Sequence, residues 1–448
     1  MIYSKISVRF LQNHKESDIV LSFSFYFSLI LAFISLPINC LEISAFYEVP
    51  AAYHGRFRPV EAIINQHSNE IDLISFKMLP GKLNNGDWFP LNDLKTKKDN
   101  FTLYPNSLFT SLQFTYNDFL DSPNPVTSQK LADLLLQGYQ PLAGRTYTQG
   151  ASKALTYPTQ SQLSWEAFYF RYPLVQIIAC FYLLTAAFLY YQIKGGIPLL
   201  ILTFLFHTCV LGLRCYILQR PPVSNMFETL LYVPWVTVAI SLTLLRDRWT
   251  KIAAAFIAAS FLLLVNFTNL DSGLENVQAV LDSQYWLIIH VLMVVGSYGL
   301  FILAGILGHI YLLRPNLLLQ RFIEQGIYLG AALLIPGTIL GGVWAAQSWG
   351  RFWDWDPKES WAFISICVYL LIIHSWRFHR IGPRGLALGS ALGLQVIGFT
   401  WYGVNYILGT GLHSYGFGAG GEGFYYFFIL CDLIFLTYVW TSYSKKIG

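Results

Sequence analysis

Residues 344–363 read WAAQSWGRFWDWDPKESWAF and contain five tryptophans beside two aspartates, one glutamate, one arginine and one lysine. Apolar runs flank this stretch on both sides, at about 326–344 and 359–376. An apolar run of about 20 residues crosses the ~30 Å hydrocarbon core of a membrane as a helix. The stretch is therefore predicted to be a loop between two spanning helices, where indoles also occur as a simple interfacial belt.

The composition of the chain is that of an integral membrane protein. Of its 448 residues, 54% are apolar, 17% are aromatic and only 12% are charged. An ordinary soluble protein has about 25% charged residues. The low charge excludes a soluble globular class.

Nine segments after residue 170 are long and apolar enough to span a membrane as helices. They lie at about 174–193, 196–217, 226–245, 250–267, 284–313, 326–344, 359–376, 384–408 and 424–443. A basic stretch with Lys5, Arg9 and Lys15 precedes an apolar run at the N-terminus, which is the pattern of a signal anchor or a cleaved signal peptide.

The predicted fold is an all-α polytopic membrane protein of about nine transmembrane helices with three parts. Residues 1–40 are the signal anchor or signal peptide. Residues 41–170 are polar, carry turn sequences such as LNNGDW and DSPNPV, and are expected to form a small extracytoplasmic mixed α/β domain. Residues 171–448 form the polytopic domain.

The distribution of Lys and Arg predicts the orientation of the helices. Basic residues concentrate in the loops near 246–251, 314–321 and 377–384 and in the tail at 445–446, so this side is predicted to be cytoplasmic. The opposite loops are 268–283, 345–358 and 409–423. The tryptophan-rich loop is therefore expected on the outer face.

The six cysteines are scattered along the chain and form no CxxC, CxxCH or metal-finger spacing. Thiol redox chemistry and a self-attached c-type haem are thus unsupported. Nucleic acid is not an expected partner, whereas membrane lipid is.

Two histidines bracket the tryptophan-rich loop and are expected on its side of the membrane. His290 lies about six residues, or roughly 9 Å, from the outer end of its helix. His413 lies in the outer glycine-rich loop. Two neutral imidazoles can hold a haem iron from opposite sides while flat aromatic side chains pack around the porphyrin.

Two further histidines are predicted to lie deeper in the membrane, where ionisable side chains are costly and commonly functional. His374 is about 15 residues, or ~22 Å, from the outer end of its helix. His207 is near the middle of its helix. They are candidates for a second pair of ligands, or for histidines hydrogen-bonded to neighbouring helices. His309 and His379, near cytoplasmic ends, are interpreted as interfacial.

Three stretches resemble a known family. WGRFWDWDPKESWAF resembles the W-G-x-x-W-x-W-D (WWD) signature of haem-handling proteins in cytochrome c maturation. RPPVSNMFETLLYVPW is similar to the S-N-x-[YF]-E segment of CcsA (also called ResC) proteins, and GVNYILGTGLHSYG to their outer histidine loop. The matches cover residues 200–443 in the right order, and the fixed positions of the signature are Trp349, Gly350, Trp353, Trp355 and Asp356.

The resemblance implies a component of a System II holocytochrome c synthase in a bacterial cytoplasmic membrane. Such a protein takes haem b across the membrane and presents it at the outer WWD site. There haem is attached through thioethers to the CxxCH motif of an apocytochrome c. A separately encoded CcsB-like membrane partner is expected, because 41–170 is too short to supply it.

The resemblance also assigns site residues. His290 and His413 correspond to the outer iron ligands and His374 to the deeper site, whereas placing His207 beside His374 is an inference from depth alone. The aromatic wall is expected from Trp344, Trp349, Trp353 and Trp355, with Asp356 as part of the loop. Arg351 and Lys358 carry charges that suit the haem propionates.

Three alternatives stay open on the sequence. A System I haem protein of the CcmC or CcmF kind shares the WWD loop, although the S-N-x-[YF]-E segment disfavours it. A b-type electron-transfer cytochrome would show regularly paired histidines within the bundle. A plain transporter would use the loop to bind an exported ligand.

Overall fold

The computed structural model describes most of the chain between Phe46 and Ser444. The described residues are 46, 48–53, 56–66, 77–80, 88–95, 105–122, 124–148, 154–245, 247–267, 274, 283–411 and 422–444. The predicted signal segment at 1–40 and the predicted ligand His413 lie outside them.

The N-terminal part of the described chain is a small mixed α/β domain, as predicted. Its antiparallel sheet has the strand order β2-β1-β3-β4, and a separate hairpin pairs β5 with β6. The strands are β1 (Pro50–Tyr53), β2 (Arg56–Pro59), β3 (Lys77–Pro80), β4 (Trp88–Pro90), β5 (Thr146–Thr148) and β6 (Ala154–Thr156). The helices are α1 (Val60–Gln66), α2 (Asn106–Asp121) and α3 (Pro125–Tyr139).

Apolar faces of these helices close the core of the domain. Ile63 of α1, Leu112 of α2 and Leu135 of α3 are fully buried in one cluster with sheet residues. Helix α3 begins where Asn124 accepts hydrogen bonds from the backbone at 126 and 127, at 2.9 and 3.0 Å. A side-chain cap of this kind satisfies donors that a helix start leaves unpaired.

Helix α4 (Gln160–Arg171) connects the domain to the first long apolar helix, α5 (Leu174–Tyr190). The two helices meet at an angle of 55°. Tyr172 is extended, with φ −115° and ψ 140°, and precedes Pro173. Proline disfavours helical backbone in the residue before it and lacks its own N–H donor, so the helix breaks here.

The described residues contain eight single helices that are long and apolar enough to cross a membrane, and the α4–α5 pair is a ninth if it counts as one span. This agrees with the predicted number of about nine. The helices after α5 are α6 (Gly196–Leu218), α7 (Met226–Thr243), α8 (Arg248–Phe267), α9 (Gln284–Trp286), α10 (Leu292–Leu313), α11 (Leu317–Trp349), α12 (Pro357–Arg377), α13 (Pro383–Gly398) and α14 (Glu422–Ser444).

Two segments of these spans are π-helical. The first, π1 (Leu287–Val291), joins α9 to α10, and the second, π2 (Phe399–Leu408), continues α13. A π-helix widens the turn and changes which side chains face inward, and such segments are frequent at functional sites.

Helix α11 is 33 residues long, whereas the apolar run predicted only 326–344. Capping residues set its ends: Asn316 accepts a hydrogen bond from the backbone of Leu318 at 2.8 Å, and Gly350 adopts the left-handed conformation at φ 72°. Polar residues near the start, such as Gln320 and Arg321, belong to the helix although they break the apolar pattern. The prediction was wrong here because hydropathy measures the lipid-buried part, not the hydrogen-bonded length.

Helix α10 is the central helix of the bundle and packs closely through glycines. A Cβ atom at Gly308 would lie 2.6 Å from the Ala387 carbonyl oxygen of α13, and one at Gly299 would lie 2.9 Å from the Val233 carbonyl oxygen of α7. Small residues allow this close approach of backbones, which is how helices associate without a hydrophobic driving force in lipid.

Candidate functional site

The loop between α11 and α12 is a compact turn in which signature residues end one helix and begin the next. Gly350 closes α11 in the left-handed conformation that glycine adopts without strain. Asp356 is the N-cap of α12, where its Oδ1 accepts from the Lys358 backbone at 3.0 Å. Pro357 occupies the first helical position, where the missing N–H costs nothing.

Glu359 completes a capping box with Asp356 and fastens the loop. Its Oε2 accepts from the backbone N–H of Asp354 at 2.9 Å and of Asp356 at 3.3 Å. The acidic residues of the stretch therefore hold the loop and cap the helix, and a carboxylate at a helix start also suits the helix dipole.

Arg351 lies over this loop. Its guanidinium is 3.3 Å from Asp354 Oδ2 and 3.6 Å from Glu359 Oε1, and it stacks 5.5 Å from the ring centre of Trp349. Both terminal nitrogens are buried and make no hydrogen bond to the described residues. Buried donors of this kind suit an anionic group of a ligand.

The tryptophans of the loop have different environments. Trp344 is buried and stacks on Trp286 with ring centres 6.5 Å apart. Trp353 lines the cavity described below. Trp355 has a left-handed backbone at φ 56°, is 68% exposed and meets Trp353 edge-on at 5.9 Å. Trp349 is half-buried and packs against the Trp286–Trp344 pair.

His290 lies on π1 and faces α11. Its Nδ1 is 2.7 Å from the Gly337 carbonyl oxygen, and its ring meets Trp344 edge-on at 5.8 Å. Because a carbonyl oxygen only accepts, the proton of a neutral ring resides on Nδ1 and the lone pair on Nε2. A Cβ atom at Gly341 would lie 2.5 Å from His290 Cε1, so glycine provides the space for this ring.

A cavity of about 130 Å³ lies where the three signature segments meet. The first residues of α7, the π1 segment, the last turns of α11, the first turns of α12 and the π2 segment all border it. Because helix starts and helix ends alternate along the chain, these parts share one end of the bundle. Its polar and aromatic lining comprises Ser224, Asn225, Thr229, His290, Tyr298, Thr338, Trp344, Trp353, Lys358, Glu359, Trp401 and Asn405.

Lys358 reaches across the cavity to π2. Its Nζ donates to Asn405 Oδ1 at 3.1 Å and to the Trp401 carbonyl oxygen at 3.3 Å. Trp401 in turn donates through its indole nitrogen to Thr229 Oγ1 of α7 at 3.0 Å. The π2 segment is thus hydrogen-bonded to two walls of the cavity, to Lys358 of α12 and to Thr229 of α7.

Sequence reasoning missed Tyr298, Trp401, Asn405, Thr229 and Met226 as cavity residues. The aromatic and amide residues of π2 directly precede the glycine-rich loop of His413, and this adjacency was the available signal. Trp401 and Asn405 point inward because of the π-helical turn, and the hydropathy of the sequence does not indicate such a turn.

The S-N-x-[YF]-E segment forms the start of α7. Asn225 caps the helix by accepting from the Glu228 backbone at 2.8 Å. The fully buried Glu228 accepts through Oε2 from the backbone and hydroxyl of Ser224, at 2.8 and 2.7 Å. This arrangement holds Ser224 and Asn225 in the cavity wall.

The segment between π2 and His413 contacts the tryptophan-rich loop. Gly411, two residues before His413, has φ 107° and lies so close to Asp356 and Pro357 that any Cβ atom would overlap them. Leu412 to Gly421 are not described, so the position of His413 itself stays a prediction.

The structure does not bring His207 and His374 together. His207 is buried beside Tyr182, whose hydroxyl is 3.2 Å from Nδ1, on a helix that packs against α4, α5 and α7. His374 is exposed on α12, which packs against α11, α13 and π2, and its Nδ1 bonds the Leu370 carbonyl at 2.7 Å. Similar depth did not imply adjacency, and iron ligation by either residue stays a prediction.

His309 is not simply interfacial, as the sequence interpretation had it. Its Nε2 is 2.7 Å from Asp432 Oδ1 of α14, and its Nδ1 is 2.7 Å from the Gly305 carbonyl. Gln395 of α13 donates to the other oxygen of Asp432. This network joins α10, α13 and α14 inside the bundle.

The fold and the site together define a multi-pass membrane protein whose aromatic and histidine-lined cavity lies at one end of its helices. Residues 223–413, which carry this cavity, match the family model described as Cytochrome C assembly protein. The cytochrome c biogenesis protein CcsA of Synechococcus sp. (strain CC9311) is 31% identical over 275 residues, 51% of this chain and 90% of that protein. This chain belongs to the CcsA family, and its role is in cytochrome c maturation.

Two other relatives are also similar to about half of this chain. CcsA of Trieres chinensis is 30% identical over 256 residues, 46% of this chain and 81% of that protein. Protein NrfI of Wolinella succinogenes is 35% identical over 230 residues, 47% of this chain. The match spans only a quarter (25%) of NrfI.

Proposed function

We propose that this protein carries haem across a bacterial cytoplasmic membrane and presents it at the cavity of His290 for attachment to apocytochrome c. Haem is the substrate, and the products are thioether bonds between its vinyl groups and the two thiols of a CxxCH motif. In each bond a thiol adds across a vinyl double bond, with sulfur joining one carbon and hydrogen the other. The chain would act as part of a synthase with a CcsB-like membrane partner.

The observation that carries this proposal is the meeting of three separate signature segments at one cavity that contains His290. The S-N-x-[YF]-E segment, the WWD loop and π2, which leads to the outer histidine loop, all line it. A haem site needs an imidazole, flat aromatic walls and a cationic edge. This cavity has each of them.

The environment of His290 suits an iron ligand. The Gly337 carbonyl places the proton on Nδ1 of a neutral ring, so that Nε2 carries the lone pair and is the nitrogen that would bind iron. Metal-binding histidines commonly donate their other ring nitrogen to a carbonyl or carboxylate, which sets the tautomer and orients the ring. We assign the second axial position to His413.

Two cations are candidates for contact with the propionates: Lys358 lines the cavity, and Arg351 lies in the adjoining loop beside the lining residue Glu359. Arg351 has buried terminal nitrogens without a hydrogen-bond partner among the described residues, and Lys358 projects into the cavity beside Asn405. Charge-assisted hydrogen bonds to carboxylates are the strong ones in proteins. Both residues are therefore assigned to orientation of the porphyrin rather than to bond making.

The size of the cavity bears on how haem is held. At about 130 Å³ it is smaller than the ~300–1,000 Å³ of pockets that enclose small molecules. A porphyrin therefore enters only if the aromatic walls separate, or it stays partly outside. A partly exposed haem suits a site that must bring its vinyl groups within ~3.5 Å of two peptide thiols, since the task is mainly one of positioning.

Transit of haem would use the deeper histidines. His374 is exposed on the surface of the bundle, so its partner ligand is proposed to come from another chain, the CcsB-like partner. His207 is enclosed by its own bundle beside Tyr182 and stays the alternative. By the positive-inside rule the cavity and the N-terminal domain would face the periplasm.

The proposed function is tested by haem binding to the purified full chain. Wild-type protein is expected to show a b-type haem spectrum that weakens in His290→Ala and in His413→Ala, and free imidazole is expected to restore it. The control is His379→Ala, because His379 is an exposed histidine at a helix end away from the cavity. A wild-type haem content in the double variant His290→Ala/His413→Ala would rule out the ligand assignment.

A further inference from the structure

A buried carboxylate joins the N-terminal domain to α4. Glu166 of α4 accepts from Arg58 Nε at 2.7 Å and from Arg56 Nη2 at 2.9 Å, and both arginines belong to β2. Glu166 and Arg58 are each 1% exposed. Arg56 also donates to the Leu274 carbonyl of the loop after α8. These ion pairs therefore hold β2 against α4, the helix that leads into the membrane domain.

The next link lies one turn further along α4. Tyr169 accepts through its hydroxyl from Arg214 Nη1 of α6 at 3.0 Å, and the guanidinium also lies 5.3 Å from the ring centre. Glu166 and Tyr169 are three residues apart, which places them on the same face of the helix. Arg214 is completely buried.

The last link reaches the cavity. Arg214 Nη2 donates to Glu228 Oε1 at 3.0 Å, and Glu228 holds the backbone and hydroxyl of Ser224, which lines the cavity with Asn225. Buried polar contacts thus connect the N-terminal domain to α4 at Glu166, and α4 to the cavity wall from Tyr169 onward, while the helix itself joins these two residues. We call this path the buried arginine–glutamate chain, formed by Arg58, Glu166, Tyr169, Arg214 and Glu228.

We propose that the buried arginine–glutamate chain couples the N-terminal domain to the cavity, so that the position of β2 sets the position of the wall at Ser224 and Asn225. Glu166, Tyr169 and Arg214 are then positioning residues, because none of them lines the cavity and Arg214 reaches its wall through Glu228. Groups in a buried network depend on one another, since loss of one leaves its neighbours unsatisfied. The identity of the bound ligand, haem, rests on the proposed function.

The test compares two conservative variants with a matched control in the full chain. Glu166→Gln removes the charge of the first link, and Tyr169→Phe removes the hydroxyl while keeping the ring over Arg214. The control is Glu61→Gln. Glu61 of α1 is 2% exposed and pairs with Arg171 of α4 at 2.7 Å. Arg171 is 46% exposed and, within the described part of the chain, its side chain hydrogen-bonds to Glu61 alone. The control therefore cuts a link between the same two parts whose carboxylate is about as buried as that of Glu166.

Two readouts report on the cavity. One is the haem dissociation constant, and the other is the rate at which maleimide labels Val223→Cys, a cavity-lining position, after the native cysteines are replaced by alanine. Both test variants are expected to change each readout by about fivefold or more, the size of coupling found within one network. Glu61→Gln is expected to change neither by more than about twofold.

The double variant Glu166→Gln/Tyr169→Phe decides between coupling and general damage. Coupling predicts an effect close to that of the larger single variant, because both break the same series of contacts. Effects that multiply, or a Glu61→Gln variant that matches Glu166→Gln, would overturn the proposal. If wild type binds no haem, the proposed function fails while the labelling rates still decide the coupling.

Discussion

Trp353 and Trp355 stand two positions apart in the same signature and have opposite environments. Trp353 lines the cavity, whereas Trp355 is 68% exposed with a left-handed backbone. The resemblance to the WWD signature predicted both as parts of one aromatic wall. The residues between Gly350 and Asp356 form a turn between two helices. Neither the helical nor the strand period applies in such a turn, so the spacing of two residues does not tell whether they lie on the same side.

The two tryptophans are therefore expected to differ in their effect on haem. Trp353→Leu should weaken haem binding roughly tenfold, because an aromatic contact contributes about 0.5–1.5 kcal/mol beyond its area. Trp355→Leu should weaken binding by less than about threefold. Spectroscopic titration of the purified variants measures both constants. An equal or greater loss in Trp355→Leu would show that the exposed indole, not the cavity-lining one, meets the porphyrin.

Helix α14 depends on a polar attachment more than on apolar burial. Leu436 is its one buried apolar residue in the described part, and Asp432 binds His309 of α10 and Gln395 of α13. Both ring nitrogens of His309 face oxygen atoms, which satisfies a doubly protonated imidazole beside a carboxylate. In a lipid environment such a network fixes the angle and depth of the helix.

Removal of Asp432 is expected to destabilise the protein. Asp432→Leu leaves His309 and Gln395 without their acceptor and should lower the free energy of unfolding by about 1–3 kcal/mol. The double variant His309→Leu/Asp432→Leu should recover part of the loss, because replacing both partners costs less than stranding one. Thermal unfolding in detergent provides the measurement. A double variant less stable than Asp432→Leu would contradict this explanation.

The positions of the helices along the chain were largely predictable from the sequence, but which helices pack against each other was not. Lipid requires each span to satisfy its own backbone, and each of the nine apolar runs is accordingly helical where the structure describes it. A helix that is apolar on all faces carries no stripe that identifies its partner. For that reason depth alone placed His207 beside His374, whereas the two lie on helices with different neighbours.

The cavity was predictable in outline only. Alternation of the spans predicted the tryptophan-rich loop and the loop of His413 at the same end, and the structure adds the S-N-x-[YF]-E segment to that end. The inward position of Trp401 and Asn405, and the reach of Lys358 to both, depend on the π-helical turn of π2. A π-helix has no signal in composition or hydropathy, so these residues were missed.

The molecule as a whole joins a family core to a separate N-terminal domain. Residues 223–413 match the assembly family, while the domain and α4–α6 precede that region and connect to it through buried ion pairs. Ion pairs with little apolar area fix orientation more than they add stability. The N-terminal domain is thus held in a defined position relative to the helices of the family core.

Covalent haem on a co-expressed substrate tests the proposed synthase function most directly. The chain is co-expressed with a CcsB-like partner and an apocytochrome that contains CxxCH, in a host without its own maturation system, and the substrate is stained for haem after denaturing electrophoresis. We expect stained substrate with the wild-type chain and loss of most staining with His290→Ala. Unchanged staining with His290→Ala, or staining when this chain is omitted, would contradict the assignment.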